Sequence, residues 1–263
     1  MRPDAGGSDG IIDLWLFDIE PPLHQLRSLE PHLGEDERTR AASFVFDADR
    51  NRYIAGRGRL RQILANYLGI RPNHVSFTYN GYGKPSLDDV HATDLQFNLS
   101  HSAGLALLAV SDRYTIGADI EQVAPLKEDV AGYFFSDAER RDLSVLPQAE
   151  YLDGFFRCWT RKEAFVKAHG EGLSLPLQSF DVSIGTEPAP LLKRLASDPS
   201  GPENWKLFNL APAAGFAAAL AVLAGGGSPE LRWRSLDELW GQSAFGSGRA
   251  ENGGFSTTRS ATY

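Results

Sequence analysis

The sequence predicts an α+β fold built from two similar halves, each a long helix packed on a small antiparallel sheet. Two long amphipathic segments, at about 50–69 and 151–169, each close on a glycine that suits a helix C-cap. Short apolar and β-branched runs, bounded by turn residues, accompany both segments. One long helix with several short strands therefore occurs twice, which predicts halves related by a pseudo-two-fold axis.

Residues 1–10 are polar and glycine-rich, and we expect a flexible leader there. The first half is expected over residues 11–120. Its predicted elements are a strand at 11–19, a helix at 35–48, the long helix at 50–69, a strand and turn at 74–87, a short strand at 96–100 and a hairpin at 105–121. The first part of the long helix is rich in arginine.

The second half is expected over residues 121–240. Its predicted elements are a helix that begins with a capping box at 136–139, the long helix at 151–169, strands at 179–184, 205–210 and 216–223, and a last strand and short helix within 231–240. Residues 241–263 are rich in Gly, Ser, Thr and Ala, so a disordered tail is expected.

Composition narrows the class of protein. The net charge of -8, without a long basic run, argues against a nucleic-acid binder. No apolar stretch approaches the length of a membrane span, and the start lacks a signal-peptide pattern, so we expect a cytoplasmic protein. Cys158 is the only cysteine, which excludes an internal disulfide, and its aromatic neighbours predict that it is buried.

Two acidic residues stand on one predicted strand. Asp119 and Glu121 are two positions apart, so both side chains point to the same side. Two carboxylates so close repel each other unless a positive charge lies between them, and Mg²⁺ prefers such oxygen ligands. The alternative is a solvated strand end with two surface acids.

The second long helix carries another candidate group, in the run WTRKEAFVKAHGEGL. Glu163 and Lys167 are four residues apart and share a helix face, which Trp159 extends by one turn. An ordinary surface ion pair would explain Glu163 and Lys167, but not the Gly-x-Gly loop that follows at once.

A third group closes the strand within FNLSHSAG. Ser100 and His101 lie where the chain turns, and a histidine there can donate a hydrogen bond to a phosphate. The alternative is a structural turn histidine.

NLSHS, IGADIE and WTRKEAFVKAHGEGL occur in that order, with YGKP upstream. Together they resemble the 4′-phosphopantetheinyl transferases, specifically the larger monomeric type that serves surfactin-like peptide and polyketide synthesis. The resemblance covers about residues 11–225. It implies an enzyme that moves the phosphopantetheine arm of coenzyme A to a serine of an acyl or peptidyl carrier protein, releasing adenosine 3′,5′-bisphosphate.

The resemblance also implies residue roles. Mg²⁺ would be held by Asp119, Glu121 and Glu163, and the phosphates of coenzyme A would be bound by Ser100, His101 and Lys167. The adenine pocket would be lined by Gly83, Lys84 and Pro85. The 3′-phosphate would be bound by Arg52 and Arg40. Lys162 would assist proton transfer. The family often has a basic residue where this chain has Glu37, and Arg38 is the expected substitute.

For the proton of the attacking serine, Glu163 is the first candidate base and a water held by the metal is its rival. Two other functions stay open: a non-catalytic coenzyme A or nucleotide sensor on the same fold, and a Mg²⁺-dependent pyrophosphate hydrolase.

The same resemblance implies an acidic carrier as partner, so a local basic surface must overcome the negative net charge. Lys127, Arg140 and Arg141 are the expected contacts, because they follow the metal strand. Phe134 or Phe135 is expected either to staple the helix that Ser136 caps or to face the carrier.

Overall fold

The computed structural model describes residues 10–126 and 130–241. Its α-helices are α1 (Leu23–Leu29), α2 (Glu35–Ala42), α3 (Asp47–Leu68), α4 (Val130–Phe134), α5 (Asp137–Ser144), α6 (Tyr151–His169) and α7 (Glu238–Gly241). Its strands are β1 (Ile11–Asp18), β2 (Phe77–Tyr79), β3 (Pro85–Leu87), β4 (Gln96–Ser102), β5 (Leu105–Ser111), β6 (Thr115–Gln122), β7 (Phe180–Val182), β8 (Leu192–Leu195), β9 (Trp205–Leu210), β10 (Phe216–Leu223) and β11 (Glu230–Arg234). The expected leader and tail lie almost wholly outside these described residues.

Two sheets form the centre of the fold. The first has the strand order β11-β1-β5-β4 and the second the order β6-β10-β9, while β2-β3 and β7-β8 are two-stranded ribbons. Of these pairs β1–β11 is parallel and the rest are antiparallel. The boundary predicted at residue 120 does not separate the two sheets. Most of β6 lies before this boundary but pairs with β10, and β11 lies after it but pairs with β1.

The core forms between stacked layers. One apolar cluster joins α3 to the first sheet through side chains such as Leu60 and Leu108. A second cluster lies between the two sheets and includes Leu14 and Leu220. A third joins the second sheet to α6 through residues such as Phe165. The order is therefore helix, sheet, sheet, helix, and the predicted α+β class with a long helix on each sheet is confirmed.

Most predicted elements are present, and the capping residues predicted at the helix ends are found there. Gly69 and Gly170 close α3 and α6 in the left-handed conformation, with φ of 65° and 89°. The capping box at the start of α5 also forms, because the Ser136 hydroxyl accepts from the Glu139 amide while the Glu139 carboxylate accepts from the Ser136 amide. The helix predicted at 35–48 is shorter, since α2 ends at Ala42, and the long helix α3 begins earlier than predicted, at Asp47.

The hairpin predicted at 105–121 is wrong. β5 is a central strand whose two edges are taken by β1 and β4, so it has no free edge for β6. The real hairpin joins β4 to β5 through Ala103 and Gly104, both with positive φ (43° and 88°). Two such residues form the tight turn that matches strand twist. The chain then crosses at 112–114 into the second sheet.

Candidate active site

The two sheets meet at a seam built by the side chains of β4. Asn98, Ser100 and Ser102 accept hydrogen bonds from the backbone amides of Ala118, Ile120 and Gln122, at 2.8, 3.4 and 3.2 Å. Every second side chain of β4 therefore reaches β6, as strand periodicity requires. This side-chain ladder replaces a backbone ladder and fixes the position of the acidic strand.

The same serines orient the two carboxylates. The Ser100 hydroxyl donates to Asp119 Oδ1 and the Ser102 hydroxyl donates to Glu121 Oε2, both at 2.8 Å. Asp119 is only 2% exposed, so the alternative of a solvated surface acid is wrong for this residue. Glu121 is half-buried.

Helix α6 lies directly against this strand because of Gly117. A Cβ atom at Gly117 would come within 2.2 Å of the Ala164 carbonyl oxygen, so only glycine permits this approach. Trp159, Glu163 and Lys167 lie on the helix face that meets the carboxylates, and all three line the same cavity.

Lys167 connects helix α6 to Asp119 on β6 and Ser100 on β4. Its ammonium donates to Asp119 Oδ1 at 2.5 Å and to the Ser100 hydroxyl at 2.9 Å. Its side chain is 28% exposed, so it also reaches the open part of the cavity. The alternative, an ordinary surface ion pair between Glu163 and Lys167, is not formed among the described residues, because Lys167 pairs across to β6.

A cavity of about 350 Å³ joins all three predicted metal ligands, Asp119, Glu121 and Glu163. Asp119 Oδ2 is buried and has no hydrogen-bond partner. Burial raises the pKa of Asp119, although Lys167 and Ser100 oppose the rise. Burial and the charge of Asp119 also raise the pKa of Glu163. Burial disfavours the negative charges of Asp119 and Glu163, and Asp119 Oδ2 lacks a hydrogen-bond partner, so a cation would stabilise these carboxylates.

Within the described part of the chain, no three acidic, histidine or cysteine side chains are gathered closely enough to form a metal site unaided. Mg²⁺ usually takes only one or two carboxylates from a protein and completes its octahedron with waters and substrate phosphates. Carboxylate oxygens, one of them without a hydrogen-bond partner, are the kind of ligand that Mg²⁺ prefers.

A second cavity, of about 600 Å³, adjoins the first. It is lined by Arg40, Arg52 and Arg57, and His101 lines both cavities. Burial lowers the pKa of His101, and the nearby charges of Lys167 and Arg52 lower it further. A neutral imidazole between cations can donate one hydrogen bond to an anion.

The predicted Arg52 is exposed to this cavity and partly neutralised. Its Nε donates to Glu20 at 2.6 Å and its Nη1 to Asp49 at 3.2 Å. The Arg40 guanidinium lies over the Tyr53 ring, 5.4 Å from the centroid. Both predicted arginines are thus beside the same space.

Arg57 is a cation of this cavity that sequence reasoning missed, and the expected substitute, Arg38, is wrong. Arg38 does not line the cavity, because its guanidinium donates to the Leu33 carbonyl at 2.6 Å. Arg57 does, held by an ion pair to the buried carboxylate of Glu37 and by Phe77, 4.6 Å away. The signal was available, because Arg57 lies four residues after Tyr53 and so shares its helix face.

The predicted adenine residues lie at a third, smaller cavity of about 210 Å³, lined by Lys84 and Pro85 but not by Gly83. Burial lowers the pKa of Lys84, whose ammonium points to the Ala168 carbonyl at 3.5 Å. The Asn80 amide donates to the Gly170 carbonyl at 2.8 Å and holds this ribbon against the end of α6.

The catalytic role predicted for Lys162 is wrong. Lys162 is fully buried and its ammonium donates to both carboxylate oxygens of Glu139 at 2.7 Å and to the Phe180 carbonyl at 2.8 Å. Its ammonium contacts α5 and β7, and Lys162 does not line the catalytic cavity. Lys162 is a structural residue.

Part of the predicted carrier surface can be located. Lys127 lies outside the described residues, and Arg140 is exposed and paired with Asp137 at 2.5 Å. Phe135 is buried and stacks on Phe155 of α6, with 5.1 Å between the ring centroids. Phe134 stays 41% exposed.

Arginines beside a lysine–carboxylate cluster suit a phosphate-bearing ligand. Two family models match the chain: the 4′-phosphopantetheinyl transferase superfamily at residues 115–221, and the N-terminal part of 4′-phosphopantetheinyl transferases at residues 18–113. The chain is 40% identical to the 4′-phosphopantetheinyl transferase HetI of a Nostoc species, over 84% of this chain and 91% of that protein.

It is also 34% identical to the 4′-phosphopantetheinyl transferase Sfp of Bacillus subtilis, over 58% of this chain and 66% of Sfp. A further 4′-phosphopantetheinyl transferase of Bacillus subtilis is 37% identical over the same shares. The chain therefore belongs to the 4′-phosphopantetheinyl transferases of the Sfp and HetI type, as its motifs predict. Within residues 10–126 and 130–241, no helix is long and apolar enough to cross a membrane.

Proposed function

We propose that this phosphopantetheinyl transferase moves the 4′-phosphopantetheine arm of coenzyme A to a serine of an acyl or peptidyl carrier protein. Mg²⁺ is the proposed cofactor, and adenosine 3′,5′-bisphosphate is the second product. The observation that supports this most is His101, which lines both the arginine cavity and the carboxylate cavity. One extended anion with two separated phosphate groups suits that continuous space.

The arginine cavity is the proposed site of the 3′-phosphate. Arg52 keeps guanidinium donors that face solvent, and Arg57 adds a second fork that Glu37 holds in place. Arginine suits phosphate because its planar fork matches two oxygens at once. Arg40 supplies a third positive charge at the same space.

The pyrophosphate would then lie near His101 and Lys167, where an imidazole and an ammonium can both donate to phosphate oxygens. Lys167 already bridges Ser100 and Asp119, so it is preorganised at the cavity edge. Donors fixed in this way stabilise charge that develops on a leaving phosphate.

Asp119, Glu121 and Glu163 would hold Mg²⁺, with the unpartnered Asp119 Oδ2 as a ready oxygen ligand. When bound, Mg²⁺ neutralises phosphate charge and so makes the phosphorus easier to attack. The serine hydroxyl of the carrier attacks the inner phosphorus, the bond to the bridging oxygen breaks, and the electron pair leaves with the adenosine bisphosphate.

Glu163 is the proposed acceptor of the serine proton. Among the described residues no side chain donates a hydrogen bond to its carboxylate, whereas Asp119 and Glu121 each accept one from serine.

Chromatography of the small-molecule products tests this function against its two rivals. The enzyme is incubated with coenzyme A and Mg²⁺, with and without a carrier protein. A transferase releases adenosine 3′,5′-bisphosphate only when the carrier is present. A hydrolase also releases free phosphopantetheine without carrier, and a sensor leaves coenzyme A intact; either result overturns the proposal.

A further inference from the structure

A fourth cavity, separate from the three already described, lies on another face of α3. Its volume is about 630 Å³, and it shares no lining residue with the arginine or carboxylate cavities. Its walls come from α1, α3 and the C-terminal segment that carries Leu236 and Leu239. Nothing in the proposed transfer reaction uses this space.

Arg59 lines this cavity without a carboxylate partner among the described residues. Its guanidinium donates only to the amide oxygens of Gln62, at 2.7 Å, and Gln25, at 3.3 Å. Burial lowers the pKa of Arg59, so the surroundings disfavour its charge. A partly buried cation held by neutral amides alone is costly unless a counter-charge can bind.

His32 lines the same cavity and is also incompletely satisfied. Its Nδ1 is buried and has no hydrogen-bond partner. Burial lowers the pKa of His32 and the charge of Arg59 lowers it as well, whereas a hydrogen bond with the Gly58 backbone opposes the change. Asp237 also lines the cavity, yet it forms no ion pair with Arg59 among residues 10–126 and 130–241.

We propose that this cavity binds a small organic oxyanion, a carboxylate or a phosphate, through Arg59 and His32. The oxyanion would supply the missing counter-charge for the guanidinium and would lie beside the imidazole ring that lines the same cavity. The side chains of Ser28, Gln62 and Asn66 provide both donors and acceptors for the remaining polar groups of such a ligand. A bound ligand would contact α1, α3 and the C-terminal segment together and stabilise their packing.

The catalytic cavities are cationic too, so the test needs a readout at the cavity itself. Ring nitrogen spectra of the six histidines, with His32 assigned from a His32→Gln variant, are titrated with pH. The titrations are repeated with inorganic phosphate and with succinate, which separate the two sources of an oxyanion. We expect one of these anions to raise the pKa of His32 by about 1, saturably, because an anion favours the charged imidazole.

Arg59→Gln should abolish that rise, whereas Arg71→Gln, which removes an exposed arginine next to the cavity wall, should leave it unchanged. If Arg59→Gln fails to fold, Arg59→Lys and His32→Gln replace it, and the readout becomes the anion-dependent rise in melting temperature. A His32 pKa that neither anion changes, or a response equal in wild type and Arg59→Gln, would overturn the proposal. A response confined to His101 would also overturn it, since the anion would then bind only at the catalytic cavities.

Discussion

Two lysines of α6, five positions apart, should respond to the same substitution in opposite ways. Lys162 is fully buried and bonded to Glu139, which is 1% exposed, whereas Lys167 is 28% exposed and reaches the catalytic cavity. We predict that Lys162→Met destabilises the fold without a specific loss of catalysis. Lys167→Met should do the reverse.

The magnitude follows from what Lys162→Met leaves behind. Glu139 would keep the amides of Ser136 and Val182 as donors, at 2.9 and 2.8 Å, but would lose the ammonium that donates to both of its oxygens. Removing one member of a buried ion pair costs about 3–5 kcal/mol, since the other charge stays buried without compensation. One kcal/mol moves the melting temperature of a chain of this size by roughly 2–4 °C, so a decrease of about 10 °C is expected.

Thermal unfolding and steady-state kinetics on both variants form the assay. Lys162→Met should keep kcat/KM near that of wild type once the value is corrected for the folded fraction. Lys167→Met should lose about 100-fold or more in kcat/KM, the scale for one preorganised donor, with a smaller change in melting temperature. The double variant Glu139→Gln with Lys162→Met should recover part of the lost stability. A stable Lys162→Met enzyme with no activity would refute the structural assignment.

Three further predictions concern the site. Asp119→Asn keeps the shape of the side chain but removes a ligand charge, so transfer should disappear while the melting temperature is retained; a chelator should abolish wild-type activity and Mg²⁺ should restore it, and full activity in the chelator would contradict the metal site. Arg52→Ala and Arg57→Ala should each weaken coenzyme A binding by about 1–3 kcal/mol, measured by calorimetry, and leave binding of dephospho-coenzyme A unchanged; equal losses for both ligands would exclude a 3′-phosphate contact. Reversing Arg140 and Arg141 to Glu should raise the KM for carrier and not for coenzyme A, with an effect that shrinks in high salt; an unchanged carrier KM at low ionic strength would exclude this surface.

The sequence predicted the two long helices and the start of α5 well, because the determinants are local. The glycines that close α3 and α6 and the capping box of α5 act within a few residues. The predicted hairpin at 105–121 failed because strand pairing depends on which edges other strands already occupy. The unexpected docking of β11 on β1 has the same cause, since the two strands are more than 200 residues apart.

In the candidate site, too, the residues in local motifs were predicted, whereas roles that depend on the tertiary fold were not. The motifs identified Asp119, Glu163 and Lys167, which the structure brings to one cavity. They could not separate Lys162 from Glu163, because adjacent helix positions face different sides and only the fold shows which side is core. Ser102, whose hydroxyl orients Glu121, was also missed, since its role depends on the seam between the two sheets.

The intact mass of a carrier protein, measured before and after incubation with the enzyme, coenzyme A and Mg²⁺, tests the central claim most directly. The account predicts that the carrier gains the mass of one whole phosphopantetheine arm, that fragmentation places it on a single serine, and that a carrier with this serine changed to alanine gains nothing. A carrier whose mass stays unchanged across peptide, polyketide and fatty-acid carrier types, with an enzyme that is folded and binds coenzyme A, would contradict the account.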